Sequence, residues 1–501
     1  MNSFFINKLK PSELKTIAYF TGIICIILGV FQLIPIIFAL IYHDNIHYIN
    51  SFLISSALSL TLGFIIHHFY KKEMITDLSL KGALIFVFSI WGVTALISSL
   101  PYYFSGILGP LDSLFQSMSG ITTTGFSLIT SPTIPYSIAF WEVFTQWYGG
   151  LGMILLIVAV IPSSTSLKRL YFAEGRTEQM TPNIRHTSII FIKLYLFLSA
   201  IGVILYIIVG LPLFEAFCYS ATAIATGGFS VFPESVNYFQ DFPIQLVTII
   251  LMILGSTNFI LIYRVLTRNF KSYYKDSETK TMWFVIILAT ALIAMSLLSN
   301  QIYGSDVILS IRHALFQVVS IMSSTGFSST DINMWSPFCY QIMILLMICG
   351  GGICSTSSGI KLYNIYLLFK SFWWEGQSMF LPKNSVIVKR IYHDKKYIDI
   401  TNNDIRSVLI YVMVYIMIFI LGATIILIYT QNLELAYTIS ASSLGNTGLG
   451  PAYVGIAAPA AVKIVMIIEF WIGRTGMWPI LLLIVYEINK VGEISEKINE
   501  K

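Results

Sequence analysis

Charge is scarce in this chain: Asp, Glu, Lys and Arg make up 11% of its 501 residues, where a soluble domain carries about 25%. With 56% hydrophobic residues and a mean hydropathy of +0.77, a water-facing globule is excluded and a bilayer is the expected solvent. The five cysteines, Cys25, Cys218, Cys339, Cys349 and Cys354, never form a C-x-x-C pair, so neither a zinc site nor a disulfide framework is indicated. They read as buried thiols. Phosphate-cradling loops of the G-x-x-x-x-G-K-[ST] and strand-framed G-x-G-x-x-G types are missing, which argues against nucleotide binding or hydrolysis by the chain itself. No cluster of His, Asp or Glu sits at membrane depth, as a polytopic membrane enzyme would need, and His67 and His68, close to Lys71, read as interfacial rather than metal-ligating. The first apolar run is followed by no small-residue cleavage site, so it is expected to be retained as a span.

Apolar runs of about 20 residues mark membrane helices. They fall near 16–42, 48–70, 80–102, 138–162, 187–211, 242–267, 281–303, 338–370, 406–428 and 460–488, which predicts ten spans. Basic residues are almost missing from alternate loops. Loops 43–47, 103–137, 212–241, 304–337 and 429–459 together contain only Arg312. The other loops carry Lys71 and Lys72, then Lys168, Arg169, Arg176 and Arg185, then Arg264, Arg268, Lys271, Lys275 and Lys280, and finally Lys383, Lys389, Arg390, Lys395 and Lys396. Cytoplasmic loops carry the Lys and Arg excess, so the N-terminus is predicted to be cytoplasmic.

What the chain does have is a short motif written four times: Thr123-Thr124-Gly125-Phe126, Thr226-Gly227-Gly228-Phe229, Ser324-Thr325-Gly326-Phe327 and Asn446-Thr447-Gly448-Leu449. The central glycines are 103, 98 and 122 residues apart, so one unit recurs. All four motifs lie in the loops depleted of basic charge. Six residues before each glycine stands a hydroxyl, Ser119, Thr222, Ser320 and Ser442, and one residue after it a bulky apolar side chain. The hydroxyls could anchor backbone behind the loop and the bulky groups wedge it; ordinary small-residue packing is the alternative. Before each motif runs a stretch too short to cross, such as Leu111 to Ile121 or Ser310 to Met322, which suits a re-entrant pore helix. Such a helix points its partly negative C-terminus at the loop. With no Asp or Glu in the motifs, the expected chemistry is backbone-carbonyl coordination of a monovalent cation rather than a carboxylate ring.

Two features lie deeper. Gly350, Gly351, Gly352 and Gly359, with Ser355 and Thr356, disfavour a continuous helix in the eighth span, since each interior glycine costs about 1 kcal/mol relative to alanine. A flexible gating loop and a small-residue packing face both remain open. Arg474 is placed near mid-membrane in the tenth span, where a cation normally faces a cavity or a partner. It reads either as a brake beside an ion path or as half of a structural salt bridge, and Glu469 is poorly placed on the same helix to be its partner.

Together with Gln146-Trp147-Tyr148-Gly149-Gly150-Leu151-Gly152, Thr181-Pro182-Asn183-Ile184-Arg185, Gly359-Ile360-Lys361 and Gly473-Arg474, these motifs resemble the TrkH-type subunits of the Trk/Ktr/HKT superfamily of potassium transporters over essentially the whole chain. Two extra N-terminal spans favour the TrkH branch over the eight-helix KtrB branch. Departures are Leu449 in place of an aromatic, and Cys354 and Ser358 in the eighth span.

The resemblance implies an all-α integral membrane fold of ten transmembrane helices. The last eight would form four pseudo-symmetric helix, pore-helix, filter and helix repeats around one pore. The expected division is 1–75 for the extra helices, 76–175, 176–275 and 276–400 for the first three repeats, and 401–501 for the fourth. It implies K⁺ uptake, with K⁺ as the only metal and held at the filter positions, no cofactor in this chain, and residence in the cell inner membrane. It also implies a homodimer and a separate cytosolic regulatory subunit of the TrkA type that binds NAD or ATP/ADP, and no nucleic-acid partner. Glycine at all four filter positions goes with K⁺ preference in this family. The alternatives are an ion-coupled symporter and a Na⁺-permeable relative.

Overall fold

The computed structural model describes residues 10–70, 77–129, 134–152, 165–173, 183–382, 387–393, 396–450, 453–479 and 481. Helices α1 (Pro11–Phe31), α2 (Ile34–Ile41) and α3 (Ile46–Phe69) form an N-terminal hairpin. Small residues let it close: a Cβ on Gly63 would stand 2.8 Å from the Ile26 backbone nitrogen, so the helices touch almost backbone to backbone. Gln32 Nε2 donates to the Ile97 carbonyl at 2.9 Å and so ties the hairpin to α4 (Leu80–Phe104).

From α4 onward one succession occurs four times. A long helix is followed by a short one, a glycine-bearing loop and a further helix. The long helices are α4, α8 (Ile184–Ile208), α13 (Ser277–Ser299) and α17 (Asn402–Thr430). The short ones are α5 (Pro110–Ile121), α9 (Leu213–Ala225), α14 (Val307–Met322) and α18 (Leu433–Leu444). At 12 to 16 residues and 1.5 Å per residue they reach about 18–24 Å, short of the roughly 30 Å hydrocarbon layer. Past the loops come α6 (Tyr136–Leu151), α10 (Phe242–Ser256), α15 (Pro337–Cys349) and α19 (Ala460–Thr475). Each short helix packs on its own two neighbours and also on the last helix of the preceding unit: α9 on α6, α14 on α10, α18 on α15, and α5 on α19. The last contact closes a ring.

Among the described residues, six helical segments, the first made of α1 and α2 together, are long and apolar enough to cross a membrane, or seven with the pair formed by α10 and α11 (Phe259–Leu266). The difference from ten straight spans has a physical origin in the last helix of each unit. α6, α15 and α19 all stop at glycines with left-handed backbone, Gly152 (φ 91), Gly350 (φ 68) and Gly476 (φ 80). In the second unit the span 242–267 is bent by 107° between α10 and α11, where the Asn258 side chain caps α11 by accepting from Ile260 N–H at 2.9 Å. The expected spans 138–162 and 460–488 run partly into residues outside the described set, as do Lys71, Lys72, Arg176, Thr181, Pro182, Lys383 and Lys395.

The remaining described α-helices are α7 (Thr165–Ala173), α12 (Phe270–Lys275) and α16 (Leu362–Phe380). Among the described residues the all-helical pattern is broken after α16: strands β1 (Arg390–His393) and β2 (Lys396–Asp399) pair antiparallel, with Ile391 opposite Ile398. The basic side chains between spans hide an alternating pattern, and Ile391 turns inward onto Leu367, Trp374 and Ile400. Trp374 is part of this buried cluster, whereas its neighbour Trp373 is 62% exposed.

Candidate ion pathway

The four loops share a backbone. Two residues before each glycine the chain enters the left-handed region, at Thr123 (φ 56), Thr226 (φ 54), Ser324 (φ 59) and Asn446 (φ 50). Such a conformation costs a non-glycine residue about 1–3 kcal/mol and persists only where the surroundings enforce it. A hydrogen bond does so here: the N–H of the residue before the glycine donates to the carbonyl six residues before the glycine. The pairs are Thr124 to Ser119, Gly227 to Thr222, Thr325 to Ser320 and Thr447 to Ser442, at 2.8, 2.9, 2.9 and 2.8 Å. The anchor is therefore the backbone of these four residues rather than their hydroxyls. Only Ser320 Oγ reaches its loop, donating to the Phe327 carbonyl at 2.6 Å, while Thr222 Oγ1 turns back to the Cys218 carbonyl. Ser119 Oγ and Ser442 Oγ are buried without a hydrogen bond.

The glycines bring the loops together. A Cβ on Gly125 would lie 2.1 Å from the Gly227 carbonyl oxygen, on Gly228 1.9 Å from that of Thr325, on Gly326 1.8 Å from that of Thr447, and on Gly448 2.0 Å from that of Thr124. Each glycine is thus pressed against the carbonyl that precedes the next unit's glycine, and the fourth contact returns to the first. Positive φ at all four, 93°, 79°, 83° and 72°, independently disfavours any other residue. Thr123, Thr124, Gly125, Thr226, Gly227, Gly228, Ser324, Thr325, Gly326, Asn446, Thr447 and Gly448 are all brought to this one ring. Phe126, Phe229, Phe327 and Leu449 are buried behind it, at 6% exposure or less.

Two cross-braces were not singled out by sequence reasoning. Gln146 Nε2 donates to the Gly227 carbonyl at 2.6 Å and its Oε1 accepts from Phe229 N–H at 3.0 Å, so one amide grips the second loop on both sides of Gly228. Asn446 Nδ2 donates to Thr124 Oγ1 at 2.8 Å and to the Phe470 carbonyl at 3.0 Å. Behind the first loop, buried Glu142 accepts from Ser127 Oγ at 3.2 Å and from Gln116 Nε2.

Beneath the ring, residues 350–361 fold as a loop between α15 and α16. Gly350 and Gly359 meet at its neck: a Cβ on Gly359 would stand 2.8 Å from Gly350 Cα. Gly351 and Gly352 lie against Ser256, and Gly352 N–H donates to the Ser256 carbonyl at 2.9 Å. Ser355 Oγ is bonded to the Gly352 carbonyl at 2.6 Å. The Thr356 hydroxyl lies 2.9 Å from both the Ile224 and Gly255 carbonyls. These contacts tie the loop to the second unit. With Arg474 and Trp91 the loop also lines a cavity of about 530 Å³.

Arg474 reaches across three units. Nη1 donates to the Thr356 carbonyl at 2.6 Å and to Thr123 Oγ1 at 3.3 Å, and Nη2 to the Gly149 and Gly150 carbonyls at 2.7 and 3.1 Å. Gly149 and Gly150 end α6, where the partial negative charge of a helix C-terminus favours a cation. The guanidinium also stands 5.5 Å from the centre of the Trp91 ring. Glu469 instead accepts from Ser440 Oγ at 2.5 Å.

A ring of four glycine-bearing loops above a lined cavity, carried by long apolar helices, fits one class, the membrane transporters of small ions. The chain belongs to the TrkH family of cation transport proteins, whose family model matches residues 49–491. It is a transporter family, and the chain is not an enzyme. An uncharacterized cation transporter of Methanocaldococcus jannaschii is 30% identical over 95% of this chain and 97% of its own length. The Trk system potassium uptake protein TrkH of Halomonas elongata is 26% identical over 94% of this chain and 98% of its own. The crystal structure of the potassium transporter TrkH from Vibrio parahaemolyticus superposes with a TM-score of 0.83 at 25% identity, covering 94% of this chain and 98% of that one.

Proposed function

We propose that this protein takes up K⁺ through the four-loop ring, driven by the electrochemical gradient. The observation that carries the reading is the closed cycle of glycine-to-carbonyl contacts at Gly125, Gly228, Gly326 and Gly448, made without an ionisable side chain in any of the four motifs. Close-set carbonyls replace the hydration shell of a monovalent cation. α5, α9, α14 and α18 run into the loops C-terminus first, and their end dipoles favour positive charge there. A membrane potential supplies about 2.3 kcal/mol per unit charge per 100 mV, so accumulation needs no ATP in this chain.

In this reading the chain has ten membrane segments with a cytoplasmic N-terminus, the loops open to the outside of the inner membrane, and the 350–361 loop with Arg474 forms the gate. A homodimer gated by a cytosolic nucleotide-binding subunit completes the system. The potassium uptake role of the named relatives supports the choice of ion. The test is flux into liposomes from purified protein with K⁺, Rb⁺, Na⁺ and Li⁺ compared. K⁺ and Rb⁺ carried at least tenfold faster than Na⁺ and Li⁺ is the expected outcome. Equal rates would replace the reading with a Na⁺-permeable relative, and flux that requires a second ion would replace it with a coupled symporter.

A further inference from the structure

We propose that Asp276, Glu278 and His393 form a binding site for a divalent transition cation of the Zn²⁺ or Mn²⁺ type, clasping the β1–β2 hairpin to the 350–361 loop. The three residues come from distant parts of the chain and all are buried, at 0%, 3% and 4% exposure. One donor atom from each lies within 4.8 Å of the other two. Asp276 precedes α13 and caps it: Oδ2 accepts from Glu278 N–H at 2.9 Å and from Thr279 N–H at 3.3 Å. This fixes the carboxylate so that Oδ1 faces His393 Nδ1 at 2.9 Å. Glu278, two residues on, accepts from Ile353 N–H through Oε1 at 2.7 Å. The His393 ring lies 5.0 Å from that of Tyr363, on the first turn of α16.

A cation shared between two carboxylates this close in a buried place lowers their mutual repulsion. One imidazole nitrogen with two carboxylate oxygens is a donor set for borderline divalent metals, with a fourth position left for water. Donors around such an ion sit about 2.0–2.2 Å from it, and hence about 3.0–3.5 Å from each other. The Asp276 to His393 separation of 2.9 Å is just under this range, so an ion entering would replace that hydrogen bond by spreading the two donors a few tenths of an ångström, while the Glu278 carboxylate would move in from within 4.8 Å. The imidazole disfavours Mg²⁺ and Ca²⁺, which take oxygen ligands. The same ion would hold both sides of the loop: Glu278 grips Ile353 inside it, and His393 abuts the helix that leaves it. The site is independent of the identity of the transported ion.

Full-length protein, freed of any tag and purified in detergent, is stripped with a chelator. It is then dialysed against Zn²⁺, Mn²⁺ or Mg²⁺, and bound metal is counted by mass spectrometry alongside thermal unfolding. One Zn²⁺ or Mn²⁺ per chain is expected, with a melting temperature that falls by several degrees on stripping and is restored by either ion but not by Mg²⁺. His393→Asn keeps a hydrogen-bond donor for Asp276 but lacks the imidazole nitrogen, and should lose the ion. Glu278→Gln keeps the acceptor for Ile353 and should weaken Zn²⁺ binding at least tenfold, which keeps the proposal testable if His393→Asn does not fold. No retained metal with unfolding indifferent to chelator and Zn²⁺ would overturn it, leaving a hydrogen-bonded histidine–carboxylate cluster. Metal retained equally by both variants would also overturn it, by placing the ion elsewhere, for example at His67 and His68.

Discussion

Arg474 shows what a single residue can be asked to do here. That it would need a partner or a cavity was legible, because an arginine in a long apolar stretch is costly without one; that it would stand in the last turn of α19 was not. That its oxygens would be the Thr123 hydroxyl and the carbonyls of Gly149, Gly150 and Thr356 was not, since no sequence pattern encodes which backbone another unit will present. The geometry asks for more than a positive charge. A lysine ammonium is a point donor without the planar fork, so Arg474→Lys should keep the charge and lose the bridge between α6 and the loop. We expect Arg474→Ala to raise ⁸⁶Rb⁺ uptake severalfold with a melting temperature within a few degrees of the parent, and Arg474→Lys to fall between them. Slower uptake in Arg474→Ala with a large drop in melting temperature would make the residue a strut.

Gln146 makes a complementary prediction. Gln146→Leu leaves the Gly227 carbonyl and the Phe229 N–H without their amide partner, at about 1–3 kcal/mol for each buried group. The second loop alone should loosen, so the K⁺/Na⁺ flux ratio should fall while the protein remains folded. An unchanged ratio would mean that the ring holds its shape without the brace. The sequence displays Gln146 inside a recognisable motif, but its role depends on a contact 81 residues away.

At the scale of elements, glycine runs announce where helices stop, and the break after Cys349 was readable for that reason. The bend after Ser256 was not, because Thr257 and Asn258 carry no strong breaking signal and the turn is held by an Asn side-chain cap and by the 350–361 loop packed beneath it. The β1–β2 hairpin was missed because four-residue strands between long apolar spans leave too short an alternation to register. The loop itself yields a test milder than deletion. Thr356→Val preserves shape and removes the hydroxyl that sits between the Ile224 and Gly255 carbonyls. If the loop obstructs the path, uptake should rise about two- to tenfold with the K⁺/Na⁺ ratio unchanged. A fall in uptake would favour a packing role for this segment.

At the scale of the whole molecule the fourfold order was plain, because four copies of one motif at spacings near 100 residues have no other simple source. What could not be read was closure. Nothing in the spacing says that α5 packs on α19, or that each glycine meets the carbonyl before the next unit's glycine. Those contacts turn four similar loops into one ring, and they make the central claim vulnerable at a single atom. Gly125→Ser places a Cβ only 2.1 Å from the Gly227 carbonyl oxygen, on a backbone with φ 93. The decisive measurement is the K⁺/Na⁺ flux ratio of this variant in liposomes, beside the parent and Gly326→Ser. A ratio at least tenfold lower in both variants, with K⁺ flux still measurable, is the result expected of a carbonyl filter. A ratio equal to the parent's in both would remove Gly125 and Gly326 from the ion's path and contradict the account.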